Sequence, residues 1–327
     1  MAPKQSRTSK LESKESQPPL KHNQDSTDSE KKLDAQNTHS GQDESTTGDK
    51  RKKNSTDETA HKVQKTKKDE QASNLDAKVQ ATPEAVLKFL LSDKAVDICR
   101  SKDEFDDISE RGSDLKTYSD LHSPFEELLC AVILSRPISH RLGLRTIRTV
   151  LNPPYSFNDT HSIRQAGSEK IRQALDDAHT QHKGKTSEEI ELLAEAFEKN
   201  EWDDDLEKIR KHGKAGVGEE RELLRKSIKG LGKTGLDIFY RRIQWKWEEA
   251  FPFVDERSEK ALEKLGLPSD ADKLLEMIDR IADSPTEPDE SDNGEEIGRR
   301  QFVVSLERAL SADLEKKVDE LLKNVES

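Results

Sequence analysis

The stretch Ile228–Leu267, IKGLGKTGLDIFYRRIQWKWEEAFPFVDERSEKALEKLGL, is the most informative part of this chain of 327 residues. It contains a Gly-x-Gly turn at Gly230 and Gly232, a helix that begins at Lys233, an aromatic linker, and Asp255 at the start of another helix. A tight glycine turn between two helices leaves unpaired backbone N–H groups at a helix N-terminus, where the helix dipole favours an anion such as phosphate. The stretch therefore predicts an anion-binding hairpin followed by one carboxylate.

The first 81 residues differ in composition from the rest of the chain. Between Met1 and Gln80 there is no Phe, Trp, Tyr or Ile. Such a segment buries too little apolar surface to offset the entropy of ordering, so we expect residues 1–81 to form a disordered polar tail. Its basic clusters, Lys50–Lys53 and residues 65–68, are typical of a solvated polyampholyte, a nuclear-import signal or a loose nucleic-acid arm. We expect the protein to lie in the nucleus.

The composition disfavours several classes of protein. The longest apolar run, Leu128–Leu134, is far too short to span a membrane, and the polar segment Met1–Lys21 does not have the pattern of a secretory signal. Cys99 and Cys130 are the only cysteines, so the chain has no disulfide framework and no cysteine set for zinc or an iron–sulfur cluster. We therefore expect no membrane contact, no metal and no cofactor, in a reducing compartment.

The net charge of −12 is unevenly distributed. Residues Leu206–Lys246 contain twelve Lys/Arg against five Asp/Glu, whereas Asp270–Glu296 contain two against eleven. A basic window inside an acidic protein is typical of a local phosphate-binding surface, although many basic helix faces are merely solvated.

Helical periodicity dominates residues 82–327, and alternating strand patterns are almost absent. The predicted fold class is therefore all-α. We expect one helical domain over residues 82–327, which contains the hairpin at residues 219–246 and a mobile acidic loop at residues 284–298. Besides the helix that begins at Lys233, the pattern predicts helices at Thr82–Leu91, Ser123–Leu134, Ile163–His179, Thr186–Lys199, Asp204–Lys211, Glu219–Ile228, Asp255–Leu265, Ala271–Ala282 and Phe302–Leu322.

Two separated segments resemble the HhH-GPD superfamily of base-excision DNA glycosylases. Ser123–Ser135, SPFEELLCAVILS, is similar to a helix of the endonuclease III-like members. Lys229–Gly235 resembles their helix-hairpin-helix turn, and Phe253–Asp255 resembles the segment that ends in their catalytic aspartate. A basic residue and a Leu-Gly-Leu helix end follow that aspartate in the family, and Lys260 and Leu265–Leu267 stand at those places.

The resemblance implies a two-lobed helical fold and a DNA repair function. The expected activity is N-glycosylase removal of a damaged or mismatched base from double-stranded DNA, by a monomer. Cleaving the N-glycosidic bond builds positive charge on the deoxyribose, which a desolvated carboxylate stabilises, and the base must first leave the stack. The resemblance assigns catalysis to Asp255 and DNA binding to the hairpin residues Lys229, Gly230, Gly232, Lys233 and Thr234.

Asp255 also has a purely structural interpretation, because Asp before a helical run is a common N-cap. The two roles are compatible in one residue.

Two positions depart from the family pattern. Members that also cut the strand use a hairpin lysine two residues past the second glycine. An ungapped alignment puts Thr234 there and Lys233 one residue too early, so we expect an intact abasic site. A one-residue deletion in the turn would instead make Lys233 the nucleophile. The usual polar wedge residue is replaced by Arg136-Pro137-Ile138, where Ile138 is either an apolar wedge or a helix-end residue.

Other interpretations stay open. A non-catalytic DNA-binding module would keep the fold without the chemistry, and a helical protein-interaction domain would use the acidic loop. Gly232-Lys233-Thr234 resembles the end of a P-loop, but Ser227 stands where that motif needs glycine. Four aromatic residues either form the floor of a base pocket or pack the linker: Trp245, Trp247, Phe251 and Phe253.

Overall fold

The computed structural model describes residues 81–212, 216–282 and 294–325, and within these ranges the chain is helical and contains no β-strand. None of the described helices combines the length and apolar character that crossing a bilayer requires. A short 3-10 helix spans Glu248–Ala250. The α-helices are α1 Pro83–Leu91, α2 Asp93–Cys99, α3 Lys102–Arg111, α4 Pro124–Leu134, α5 His140–Leu151, α6 Thr160–Asp177, α7 Lys183–Lys199, α8 Glu207–His212, α9 Val217–Ser227, α10 Lys233–Ile243, α11 Glu256–Lys264, α12 Ala271–Ala282, α13 Gly294–Leu314 and α14 Val318–Val325.

Local side-chain caps explain two of the predicted helix starts. Ser123 Oγ accepts a hydrogen bond from Glu126 N, and the Glu126 carboxylate accepts one in return from Ser123 N at 3.1 Å. Thr82 Oγ1 accepts a hydrogen bond from Ala85 N at 3.2 Å. Such caps satisfy backbone donors that have no partner inside the helix. The predicted starts of α1 and α4 are confirmed.

The C-terminal part of the chain differs from the sequence prediction. A single helix over Phe302–Leu322 is wrong, because α13 and α14 are separate helices. The break between them includes Lys316, whose φ of 59° is left-handed and ends a helix. Since α13 begins at Gly294, the end of the predicted acidic loop is helical. The rest of that loop, residues 284–293, and residues 1–80 of the predicted tail lie outside the described residues.

Helices α2, α3 and α5 were not predicted, and α5 shows why. Gly143 and four β-branched residues give the segment a low intrinsic helix propensity. It is helical because its apolar side chains, among them Leu144, Ile147 and Leu151, lie on one face and are buried. Burial in the folded protein therefore outweighs local propensity here.

The buried apolar side chains form two clusters. The first cluster is built around α4, ten of whose eleven residues are buried, with α5, α6, α7 and α10 packed near it. The second cluster combines α1 and α2 with α11, α12, α13 and α14, so both ends of the described chain contribute to it. Helix α10 contacts α4 and also α13, which places it between the two clusters.

A buried ion pair joins α10 to α4 within the first cluster. Arg242 Nε donates to Glu127 Oε2 at 2.8 Å, and Arg242 Nη2 donates to Glu127 Oε1 at 2.9 Å. Arg242 Nη1 also donates to the carbonyl oxygen of Tyr118 at 2.8 Å, and the guanidinium lies over the Tyr118 ring. Both charged side chains are almost completely buried, so each depends on the other for compensation.

Replacing Arg242 with Met should lower the free energy of unfolding by about 3–5 kcal/mol, because Glu127 would stay buried without its cation. Arg164→Met is the matched control, since the 2.7 Å ion pair of Arg164 with Glu198 is exposed and contributes about 0–1 kcal/mol. Urea unfolding followed by circular dichroism measures both losses. Similar small losses for the two variants would contradict the structural role assigned to the buried pair.

Candidate functional site

The segment predicted as a hairpin consists of α9, a turn over residues 228–232, and α10. Gly230 has a φ of 92°, a left-handed conformation that favours glycine, and Leu231 N donates to Ile228 O at 3.2 Å across the turn. Gly232 is the N-cap of α10 and supplies no side-chain cap. The first hydrogen bond within α10 is donated by Leu236 N to Gly232 O at 3.0 Å. The preceding N–H groups of α10 therefore have no helical partner, which suits an anion.

The hairpin lysines lie on the surface. The side chain of Lys233 is 79% exposed and its Nζ lies 2.6 Å from Asp237 Oδ2. The hydrogen bond and charge of Asp237 raise the pKa of Lys233 above its ordinary value, so the amine is protonated at neutral pH. Lys229 Nζ lies 3.6 Å from Glu188 Oε1, and both side chains are exposed. Both lysine side chains are exposed to solvent, which screens their ion pairs, so a phosphate can compete for either lysine.

Asp255 is the N-cap of α11. Its Oδ1 accepts a hydrogen bond from Arg257 N at 3.0 Å, and its Oδ2 accepts one from Ser258 Oγ at 2.8 Å. The residue is 6% exposed. The structural interpretation of Asp255 is therefore correct, and it leaves the catalytic interpretation open.

Arg241, on α10, holds the same carboxylate. Arg241 Nη1 donates to Asp255 Oδ2 at 2.8 Å, and Arg241 Nε donates to Glu307 Oε1 on α13 at 2.8 Å. Burial raises the pKa of Asp255, but the charge and hydrogen bond of Arg241 and the hydrogen bonds from Ser258 and Arg257 N together outweigh burial, so this pKa lies below its ordinary value. Asp255 is thus ionised at neutral pH. One guanidinium faces two carboxylates, which leaves this cluster of three side chains with a net negative charge.

The side chain of Gln244 fixes the distance between α10 and Asp255. Its Oε1 accepts from Phe253 N at 2.8 Å, and its Nε2 donates to Phe253 O at 2.9 Å. The linker that enters α11 is therefore held against the C-terminal end of α10. Sequence reasoning missed Arg241, Gln244 and Glu307 as parts of the site. The position of Arg241 gives no distinguishing pattern in the sequence, because it is one of many basic residues in the window Leu206–Lys246.

One cavity brings the predicted anion site and the predicted catalytic residue together. It has a volume of about 290 Å³. Its lining includes Lys233 and Thr234 from the first turn of α10, and Asp255 with Arg257 from the start of α11. A second cavity of about 400 Å³ is lined by Thr234, together with Arg241, Arg257 and Glu307. Thr234 therefore lies where the two cavities approach each other.

The aromatic residues proposed as a base-pocket floor are mainly packing residues. Trp247 is completely buried and makes edge-to-face contacts with Phe239 and Tyr240. Phe251 packs against Phe302 with ring centroids 5.2 Å apart. The packing interpretation is therefore correct for Trp247 and Phe251. The other two are partly buried under arginines: Arg300 lies over the ring of Trp245 and Arg221 over the ring of Phe253.

Two further expectations from the sequence need correction. The basic window Leu206–Lys246 overstates the positive surface, because Arg241 and Arg242 are buried and paired with carboxylates. The P-loop alternative is wrong, because α9, and not a strand, precedes the turn. Ile138 packs partly buried against the first cluster, as expected for a residue near a helix end, although it also lines the 400 Å³ cavity.

No family model, no curated protein and no solved structure matches this chain. Within the described ranges, no group of three or more His, Cys, Asp or Glu side chains is placed to hold a metal ion.

The two helices of the hairpin are joined by a titratable contact. Tyr240 on α10 donates its hydroxyl to Glu220 Oε2 on α9 at 3.4 Å, and Glu220 is buried. Burial and the charge of Glu249 raise the pKa of Glu220 from 4.5 to about 7. The folded state therefore binds this proton more tightly than the unfolded chain does. The associated stability is present below about pH 4.5 and is lost as the pH rises to about 7.

Glu220→Gln, which cannot titrate, should become more stable relative to the wild type as the pH rises from about 5 to about 8. Thermal melts of both proteins across this range measure the difference in Tm. Glu219→Gln is the matched control, because Glu219 is the exposed neighbour on the same helix. If the difference in Tm between Glu220→Gln and the wild type did not change with pH, the raised pKa of Glu220 would be refuted.

Proposed function

We propose that this protein is a DNA N-glycosylase that removes a damaged or mismatched base from double-stranded DNA in base-excision repair. The observation that carries the proposal is the cavity that joins the uncapped start of α10, with Lys233 and Thr234, to the ionised carboxylate of Asp255. The two lobes implied by the resemblance have a counterpart in the two hydrophobic clusters. We further propose that the protein acts as a monomer in the nucleus, with the HhH-GPD fold.

In the proposed mechanism, the N–H groups at the start of α10 bind a backbone phosphate beside the lesion, with Gly230 allowing the left-handed backbone of the turn and Gly232 leaving room for the phosphate. Lys229 and Lys233 add positive charge beside this phosphate. The extruded nucleotide then places its sugar against Asp255. As the glycosidic bond breaks, the carboxylate stabilises the cationic sugar. Arg241 also donates a hydrogen bond to Glu307, so this guanidinium is shared between two carboxylates.

The direct test is an excision assay on the full chain. Purified protein is incubated with duplexes that carry uracil, alkylated, oxidised or mismatched bases, and abasic sites are scored by alkaline cleavage. At least one duplex should accumulate abasic sites. If none does, while the protein binds duplex DNA, the glycosylase proposal fails.

Asp255→Asn should lower excision by about 10²-fold or more, because Asn retains the cap but cannot carry the negative charge. We also expect a loss of stability of about 1–3 kcal/mol, since Arg241 would lose a buried ionic partner. The assay is therefore run well below the Tm of the variant. Asp159→Asn is the matched control, because Asp159 is the N-cap of α6 and caps Ser162 N at 2.6 Å. Full excision by Asp255→Asn would contradict the catalytic role.

Replacing Lys229 and Lys233 together with Ala should weaken binding to duplexes of any sequence. The slope of log Kd against log salt should also become shallower by up to ~1 for each phosphate that a lysine no longer neutralises. The double variant Lys170→Ala, Lys183→Ala, on α6 and α7, removes the same charge elsewhere and should leave the slope unchanged. Anisotropy titrations at several salt concentrations measure both. Equal slopes for the two double variants would exclude the hairpin from the interface.

The product should be an intact abasic site. A lyase step needs an unprotonated amine against the sugar to form a Schiff base, but Lys233 is held as an ammonium by Asp237, and Thr234 has no amine. Borohydride added during turnover should trap no protein–DNA adduct. An adduct that forms in the wild type and disappears in Lys233→Ala would show that Lys233 is the nucleophile after all.

The ion pair between Arg241 and Asp255 favours a second candidate function, a DNA-binding module without catalysis. A guanidinium 2.8 Å from the carboxylate opposes the stabilisation of a sugar cation. In that case the lysine variants lose affinity as described, and no lesion is excised.

A further inference from the structure

Arg136 follows α4 and is the first residue of the segment Arg136-Pro137-Ile138, which replaces the wedge residue of the HhH-GPD family. Its side chain is only 11% exposed and points to the hairpin. Arg136 Nη1 donates to Glu189 Oε1 on α7 at 2.5 Å. Arg136 Nη2 donates to the carbonyl oxygen of Gly230 at 3.1 Å and to Ser135 Oγ at 2.8 Å. One guanidinium therefore ties the turn of the hairpin to α7 and to the end of α4.

Glu189 packs directly against the same turn. It is buried, and a Cβ atom added at Gly230 would lie 2.8 Å from Glu189 Oε1 and 3.0 Å from Glu189 Cδ. The left-handed φ of Gly230 brings the backbone this close. The turn thus rests on the carboxylate of Glu189 while the Arg136 guanidinium holds its carbonyl group.

The charge of Glu189 depends on its neighbours. Burial raises its pKa above the ordinary value, and Arg136 lowers it only in part. Two other charged groups act from α7 itself, Lys185 and Glu188, and Lys229 of the turn lies 3.6 Å from Glu188. Arg136 is the only one of these groups that bonds both Glu189 and the turn.

We propose that Arg136 and Glu189 are positioning residues that hold the turn over residues 228–232 in the conformation that presents the α10 amides to a DNA phosphate. This inference rests on the proposed function as far as the phosphate belongs to DNA. Neither side chain needs to touch DNA. Their effect passes through the carbonyl group of Gly230 and the packing of the turn, because a backbone anion site requires its donors to be fixed in direction.

The test uses the full chain and two readouts. Arg136→Gln and Glu189→Gln each remove one charge of the pair. Arg136→Lys keeps the positive charge but lacks the planar guanidinium with its several N–H donors. Arg164→Gln is the matched control, because Arg164 forms an exposed pair with Glu198 of the same helix α7. The first readout is amide hydrogen exchange at Ile228, Leu231 and Leu236, whose N–H groups are hydrogen-bonded at the turn, and the second is Kd for a duplex.

In Arg136→Gln and Glu189→Gln, exchange across the turn should accelerate by about tenfold or more, and Kd should rise by about tenfold. Arg136→Lys should give intermediate values, and Arg164→Gln should match the wild type. Circular dichroism verifies the fold of each variant. If Arg136→Gln does not fold, the comparison is made with Glu189→Gln and Arg136→Lys.

A pH series tests whether the charge of Glu189 is responsible for the change in Kd. As the pH falls toward the titration range of Glu189, the wild type loses the charge of this residue, whereas Glu189→Gln has already lost it. The ratio of their Kd values should therefore shrink on acidification.

The inference would be overturned if the turn amides of folded Arg136→Gln and Glu189→Gln exchanged at the same rate as those of Arg164→Gln. Unchanged Kd values for these two variants would also overturn it. A wild type that binds no DNA, with turn exchange still accelerated in the variants, would remove the proposed function and the DNA role of the pair. The role of Arg136 and Glu189 in fixing the conformation of the turn would still be supported.

Discussion

Two adjacent buried arginines on α10 constrain the arrangement of the helices around them. Arg242 needs Glu127 on α4, and Arg241 needs Asp255 at the start of α11 and Glu307 on α13. A buried guanidinium without a carboxylate is strongly destabilising, so these elements cannot move independently of α10. The helix whose N-terminus forms the anion site is therefore also the helix that locates the candidate catalytic carboxylate. Gln244 reinforces this connection by holding the backbone of Phe253.

The same arrangement places opposing demands on Asp255. Arg241 fixes the carboxylate in the ionised state, which a role in stabilising a sugar cation requires, but its positive charge also weakens that role. Glu307 offsets part of this effect, because it shares the guanidinium with Asp255, so one cation faces two carboxylates. Without Glu307, the pair of Arg241 and Asp255 would be neutral as a unit. In this account the second carboxylate preserves the electrostatic function of the first.

Much of the local structure could be predicted from the sequence, because local rules decide it. The caps at Thr82 and Ser123, the glycine turn and the N-cap at Asp255 follow from short-range hydrogen bonding and backbone geometry. The helix α5 could not be predicted, because burial in the folded protein stabilises it against weak propensity. The charge pattern was misleading at Arg241 and Arg242, since a count of basic residues does not show which of them are buried. Arg136 and Glu189 are far apart in sequence and meet only at the turn, so no local pattern predicts their contact.

Affinity for a charged abasic analogue tests the proposed role of Asp255 toward a cationic sugar, and it does so without knowledge of the excised base. One duplex carries a pyrrolidine, protonated at the position of the sugar ring, and a second carries a neutral tetrahydrofuran of the same shape. An enzyme complementary to the transition state binds the cationic analogue more tightly. We expect a Kd lower by about 10²-fold or more for the pyrrolidine duplex. Equal affinity for the two duplexes would contradict this role.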